Sequence, residues 1–256
     1  FDRFTEKKLF IYYSHEHPDH FSIPFLKSID KEIRKGITII VQKTRDKRVK
    51  LFLESQDFSV LELDNRERIQ FSTGFFITIG QVPFYDSWAL IEVDGKKILN
   101  ANDCILETPD RVQDIKTTTD SVDILFTQFS YANWVEGGVS DNTSRALLAK
   151  EKLQHIRMQS DVLKPSFIVP FASMVRFCHI ENSYMNDEIK TPEETVEFIN
   201  DNTESEAFLM TPYENWDGEC SKSNQPAIQF WNEAYEKALK RPLIEPKKSC
   251  DFSEIK

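Results

Sequence analysis

No run of apolar residues in the 256-residue chain is long enough to cross a membrane as a helix. There is also no low-complexity tract, internal repeat or clear linker, which favours one domain over residues 1–256. Positive charge is in deficit: the formal net charge is −10. That excludes a nucleic-acid partner held by a basic face through counterion release, and it disfavours an anionic membrane surface. A small anionic substrate is still allowed, because a bound cation reverses the local field. Cysteine is scarce and scattered. Cys104, Cys178, Cys220 and Cys250 form no C-x-x-C pair, which argues against a disulfide framework and fits a reduced, cytoplasmic setting. The sequence begins Phe1-Asp2-Arg3-Phe4, with neither an initiator methionine nor a signal peptide, so native residues are expected ahead of Phe1.

What is present is enough for one large domain with a substantial core. Apolar residues make up 40% of the chain, and twenty phenylalanines suggest a core stiffened by aromatics. Residues 9–13, Leu-Phe-Ile-Tyr-Tyr, read as a buried strand. Pro24, Phe25, Leu26, Ile29 and Ile33 have helical spacing, closed by Gly36, and residues 38–41 are the next strand. This β-α-β unit leaves a polar loop at a strand's C-terminal end, where sites in α/β proteins commonly sit. Further strands are expected at 60–63, 75–79, 88–93 and 97–99, with Asp94-Gly95 as a hairpin turn, and at 124–126 and 167–169. Helices are expected over 144–163, from the Thr191-Pro192-Glu193-Glu194 start, and late in the polar tail, over 227–239.

Histidine is scarce as well. There are five in the chain, and three fall within Ser14-His15-Glu16-His17-Pro18-Asp19-His20. A lone histidine is usually a satisfied core or surface residue. Three at spacings of two and three, with an aspartate among them, are better explained as ligands. In an extended segment His15 and His17 point to the same side. Asp19 and His20 follow Pro18, where the chain bends toward a neighbouring position. One short loop thus offers two pairs of ligands to one or two transition-metal ions.

H-x-H-x-D-H at the end of an apolar strand resembles the metal motif of the metallo-β-lactamase superfamily. That resemblance implies an α/β fold, an αββα sandwich with metals at one edge between two sheets, and further ligands downstream. Asp103, in Leu99-Asn100-Ala101-Asn102-Asp103-Cys104, fits the bridging aspartate; the alternative is a turn aspartate that bonds its own backbone. His179, after Phe167-Ile168-Val169-Pro170-Phe171-Ala172, fits the late histidine. His155 lies among polar residues of a helix and reads as surface. The segments around His15–Ser22, Leu99–Cys104 and Pro170–His179 are similar to those of the CMP-N-acetylneuraminic acid hydroxylase family and of the branch holding ascorbate-6-phosphate lactonase and N-acylphosphatidylethanolamine phospholipase D. The resemblance covers a core of about 9–199, with a C-terminal extension over 200–256.

Three departures from the family pattern matter. Metallo-hydrolases of this superfamily usually carry a third histidine between the cluster and the bridging aspartate. Here no histidine lies between His20 and Asp103, so Gln81, Asp86 or a water must substitute. The hydroxylases carry a Rieske centre, which needs paired cysteine and histidine motifs, and this chain has none. The resemblance also implies an N-terminal β-segment ahead of the histidine cluster; fourteen residues precede His15 here, so part of one sheet is expected to be absent from this stretch. The strand at 9–13 is apolar on both faces and so is expected to be central, which leaves its sheet to be completed by native residues before Phe1 or by a partner.

The leading expectation is therefore a metal-dependent hydrolase acting through an activated water on a phosphoester, amide or lactone. His15, His17, Asp19, His20, Asp103 and His179 form the metal shell, and Asp19 doubles as the catalytic base. The alternative is an iron-dependent oxygenase fed electrons by a Rieske or ferredoxin partner, and a third option is a non-catalytic binding protein. Zinc or iron is the expected metal and a small molecule the expected substrate. An electron-transfer protein or a second copy of the chain are the candidate partners.

Overall fold

The computed structural model describes residues 7–135, 138–219 and 222–246. The Phe1–Phe4 start, Cys220, Cys250 and the last ten residues of the C-terminal extension lie outside the described residues. The chain forms two compact units, Phe1–Phe126 and Thr127–Lys256. No described helix is long and apolar enough to cross a membrane.

The first unit opens with β1 (Leu9–Tyr12), α1 (Ile23–Ser28), α2 (Lys31–Arg34), β2 (Ile37–Gln42), α3 (Arg48–Ser55) and β3 (Ser59–Leu63). The three strands form a parallel sheet in the order β1-β2-β3. Parallel neighbours need crossovers, and these helices supply them. The single helix expected over 24–33 is divided at Ile29. Ile29 is extended (ψ 133°), and the Asp30 side chain caps α2 through the Glu32 N–H. Buried Arg34 stabilises the break by donating to the Ile29 and Lys27 carbonyls that α1 leaves over.

Period-two alternation sorts the first sheet between two layers. Leu9, Ile11 and Tyr13, with Ile37, Ile39 and Val41, meet Leu26, Ile29, Leu53 and Phe58 on the helical side. Phe10, Tyr12, Ile40 and Leu63 meet Ile77 and Ile79 of a second sheet. This layering makes β1 apolar on both faces. Among the described residues β1 pairs only with β2 and stands at the edge, in keeping with the expected incomplete first sheet.

The second sheet of this unit runs β4 (Arg68–Ser72), β5 (Phe75–Val82), β6 (Asp86–Val93) and β7 (Lys96–Asn102) as an antiparallel meander. Then come α4 (Pro109–Thr119) and β8 (Ile124–Thr127), which lies beside β7. Asp94 (φ 48°) and Gly95 (φ 86°) make the expected hairpin turn. Gly80 of β5 stands opposite Trp88 of β6, and a Cβ at Gly80 would come within 1.9 Å of the indole. The absent side chain lets fully buried Trp88 lie flat across β5, two residues beyond Asp86.

The second unit contains α5 (Asn142–Leu163), β9 (Phe167–Pro170), α6 (Pro192–Asn202), β10 (Glu206–Ala207) and α7 (Gln225–Leu239). β9 and β10 pair in parallel. Asp141 caps α5, and Thr191 with Glu194 closes a capping box on α6. Tyr131 is core, its hydroxyl donating to the Met185 carbonyl, and Trp216 stacks on Phe208. His155 is half-buried on α5.

Candidate metal centre

The site of the first unit forms where three strand ends meet. β1 stops at Tyr12, although the Tyr13 N–H still reaches the Ile40 carbonyl at 3.0 Å. The chain then turns at Pro18, and the His20 and Phe21 N–H groups both donate to the His17 carbonyl, at 3.0 and 2.7 Å. That turn folds His20 back over His15, with ring centroids 4.4 Å apart. His17 meets His15 edge-on at the same distance.

Two carboxylates come from the second sheet. Asp86 begins β6 and Asp103 directly follows β7. His15 Nδ1 lies 3.0 Å from Asp86 Oδ1 and 3.9 Å from Asp103 Oδ1. His20 Nε2 lies 3.4 Å from Asp103 Oδ2 and 3.5 Å from Asp19 Oδ2. Asp103 therefore turns one oxygen to each histidine. His15 Nε2 and His17 Nδ1 are 2.8 Å apart.

These separations decide what the cluster can hold. Good hydrogen bonds between such groups span about 2.7–3.2 Å, and several of these pairs are longer. Ligands about 2.0–2.1 Å from one ion in a tetrahedral shell lie about 3.3 Å from each other, which is the spacing seen. One ligand atom from each of His15, His20 and Asp103 falls within 4.8 Å of the other two. The donors are imidazole and carboxylate, a set suited to zinc and iron. The residues present thus fit a transition metal.

The electrostatics are those of a preformed anionic cradle. The hydrogen bond with Asp103 holds the His20 imidazolium above its ordinary range, against the opposing effect of burial. Burial pushes Asp103 upward, but the hydrogen bond and charge of His20, with the charge of His15, hold it below the usual carboxylate range. Burial, followed by the charge of Asp86, pushes the Cys104 thiol well up.

Hydrogen bonds behind the ligands connect the strand ends. The Ser87 hydroxyl donates to the Ser14 carbonyl at 2.7 Å, and the Ser87 N–H donates to Asp86 Oδ1 at 2.6 Å. The Tyr12 hydroxyl and Asn102 Nδ2 both donate to the Ser87 carbonyl at 2.8 Å. Asn102 Oδ1 accepts from the Asp103 N–H at 2.7 Å. Phe84 (φ 67°) and Tyr85 (φ 63°), just before Asp86, occupy the left-handed region that bulky residues avoid. Such strain costs about 1–3 kcal/mol per residue. Buried Gln42 braces the turn by donating to the Tyr85 and Ser14 carbonyls.

Of the residues expected from the sequence, His15, His17, His20 and Asp103 are brought together. Asp19 sits at the rim, its side chain 70% exposed. Asp86, not Gln81, stands beside His15; Gln81 is exposed and donates to the Lys43 carbonyl. His179 belongs to the second unit, where its N–H donates to Asn182 Oδ1. Ser87, Tyr12 and Gln42 escaped the sequence reading. The only signal for Ser87 was a polar Asp-Ser pair set directly before an apolar strand.

No family model and no curated protein matches the sequence. Among solved structures, the chain is similar to CmlA, a diiron β-hydroxylase from Streptomyces venezuelae, with a TM-score of 0.56 and 15% identity over 81% of this chain and 44% of that one. A mutant form of the CmlA β-hydroxylase superimposes with a TM-score of 0.60 and 15% identity over 82% of this chain. YhfI from Bacillus subtilis, a metallo-β-lactamase fold protein, gives 0.48 and 12% over 79% of this chain and 74% of that one. This chain has the metallo-β-lactamase fold. It spans 44% of the length of CmlA. The buried carboxylate of Asp86 lies in the stretch between His20 and Asp103, which holds no histidine.

Proposed function

We propose that this chain is an iron-dependent oxygenase that hydroxylates a small-molecule substrate. The observation that carries this reading is Asp86. Its carboxylate is buried 3.0 Å from His15, where it would stand in for an imidazole and add an oxygen donor to the set. Mixed histidine and carboxylate ligands with open positions suit non-haem iron. His15, His17 and Asp86 would hold one ion, Asp19, His20 and Asp103 a second, and the two oxygens of Asp103 face both groups. Bound iron would supply the one-electron and dioxygen chemistry that zinc lacks. Ser87, Asn102 and Gln42 would fix the ligands through the hydrogen bonds behind them. The electrons would come from a separate partner protein. CmlA, a diiron β-hydroxylase with this fold, is consistent with this reading.

Asp19 favours a second reading. Exposed and 3.5 Å from His20, it would take a proton from water in hydrolysis. Anaerobic loading with ferrous iron and zinc in competition, read by metal analysis and Mössbauer spectroscopy, separates the two. Oxygenase chemistry predicts that iron is retained, with a spectrum of coupled ions, and that Asp86→His moves the preference toward zinc. Selective retention of zinc by the unaltered chain, with no change in Asp86→His, would overturn the proposal.

A further inference from the structure

The turn that delivers Asp86 carries more than the ligand needs. Phe84 (φ 67°) and Tyr85 (φ 63°) both stand in the left-handed region, where glycine is at ease and a bulky residue is strained. Their rings also stay in water: Phe84 is 78% and Tyr85 60% exposed. Elsewhere in the first unit aromatic side chains find partners. Phe10 packs on Phe71, Tyr13 and Phe52 meet Phe21, and Phe76 lies under Arg68. Neither Phe84 nor Tyr85 meets another ring or a cation among the described residues. A single exposed aromatic needs no explanation. Two in succession on a strained backbone help folding neither by burial nor by propensity, and such strain collects at ligand clamps.

The surrounding fold holds this turn against the metal loop. Buried Gln42 donates from one nitrogen to the Tyr85 and Ser14 carbonyls, so a single amide ties the aromatic turn to the strand end that carries His15. Tyr85 and His15 line the same cleft of about 30 Å³. Its lining is mainly apolar, with buried Tyr13 and Val41 inside and exposed Arg48 at the rim. That volume holds about one water-sized group, so a ring bound here must lie outside the cleft, on the exposed turn. Rings stack through their complementary faces and edges beyond the area they bury, which selects a flat ring over a saturated one.

We infer that Phe84 and Tyr85 form a ring clamp for the substrate of the metal centre. The substrate carries an aromatic ring that stacks on this turn and a small apolar group that enters the cleft beside His15. The inference rests on the reading of the centre as a small-molecule enzyme and holds for either metal.

The test uses the full chain loaded with ferrous iron under argon and, in parallel, with zinc. 4-Methylphenol and its saturated counterpart 4-methylcyclohexanol are titrated by ligand-observed NMR. The expected result is saturable binding of 4-methylphenol, at least about fivefold tighter than 4-methylcyclohexanol, with its methyl protons relaxing faster in the paramagnetic ferrous protein than in the zinc form. Phe84→Gly and Tyr85→Gly should each weaken 4-methylphenol at least about fivefold and leave the melting temperature equal or higher, because glycine relieves the strain. Tyr85→Phe should keep the ring affinity. A merely structural turn would give the reverse, lower melting with affinity intact, and would overturn the clamp. So would absence of saturation, equal affinity for the two probes, or relaxation that does not depend on the metal. Metal analysis of the same samples keeps the two readings apart. A chain that retains neither metal loses the metal centre and the clamp together, whereas any failure above in a metal-loaded chain removes the clamp alone.

Discussion

Two loops of this molecule start from the same situation. The one after β1 and the one after β9 each follow a four-residue strand, and each carries histidine. They differ in what braces them. In the first loop the side chains meet one another: His15 lies within 4 Å of His17, Asp86 and Asp103. In the second, side-chain amides hold the backbone. Asn182 accepts the His179 N–H, Asn186 accepts the Phe177 N–H and donates to the Phe177 carbonyl, and the Ile244 N–H donates to the Cys178 carbonyl. The His179 imidazole makes no hydrogen bond or ion pair among the described residues. A strand end thus becomes a preformed ion site when its ligand atoms converge on each other. A braced backbone presents its side chains instead, leaving them for something else to engage.

The sharpest way to break this comparison is to remove one histidine from each loop. His15 touches every other member of the cluster except Asp19, so His15→Ala is expected to lower metal affinity at least about a hundredfold, above the ten- to hundredfold cost of losing a supporting group. His179→Ala is expected to cost about tenfold, and at one ion only, if His179 serves as the late ligand anticipated from the sequence. Metal titration with a competing chelator measures both. Equal losses in the two variants would erase the distinction between the loops, and no loss in His179→Ala would remove that residue from the metal shell.

Much of the first loop was legible in the sequence because its ligands are close together in the chain. His15, His17, Asp19 and His20 need only one turn to converge, and Pro18 marks it. Asp103 was found by its place after an apolar strand, which is also where the structure puts it. Asp86 was open to sequence reasoning only as one of two candidates. What separates it from Gln81 is the four residues of strand and turn from Val82 to Tyr85, two of them left-handed aromatics that no propensity would place there. The missed elements differ in cause. Arg68-Ile69-Gln70-Phe71-Ser72 of β4 alternates exposed with half-buried residues, and α3 buries Leu53 beside Val49 and Phe52, so both carried a readable pattern, whereas α4 is polar at most positions and its pattern is thin. The apolar signature of β1 comes from its two covering layers and pointed to strand neighbours on both sides; the one beyond β1 is not found among the described residues.

Ser87 offers a smaller and more selective perturbation. Its hydroxyl links the Ser14 carbonyl to the Tyr12 phenol, and its N–H holds Asp86. Ser87→Ala keeps the N–H and removes only the hydroxyl, leaving the buried Ser14 carbonyl with Gln42 as its remaining donor. The expected destabilisation is about 1–3 kcal/mol, with metal affinity lowered about tenfold because His15 adjoins Ser14. Chemical denaturation with and without metal measures both. Loss of stability alone, with metal affinity intact, would show that Ser87 supports the fold and does not position the ligands.

The smallest expected effect is a pH dependence in the metal-free first loop, and it runs in opposite directions for folding and for metal binding. His20 titrates above its ordinary 6.5 because of Asp103, so its contribution to stability is complete below 6.5 and is lost as pH rises through the raised value. Asp103 titrates below its ordinary 3.8, so its contribution is present above 3.8 and is lost as pH falls through the lowered value. The pair therefore stabilises the metal-free protein most between 3.8 and 6.5. A metal needs the neutral imidazole, so affinity should climb over the range in which that stability is lost. Melts in chelator and metal titrations from about pH 5.5 to 8, each compared with His20→Asn, isolate this pair from the other titrating groups. The variant should melt lower than the unaltered chain at the acidic end, converge with it at the alkaline end, and show a flatter rise of metal affinity with pH. Parallel curves for the two proteins across the range would show that the His20–Asp103 contact is not the proton-linked step, and the first loop would then owe its closure to His15 and its own contacts.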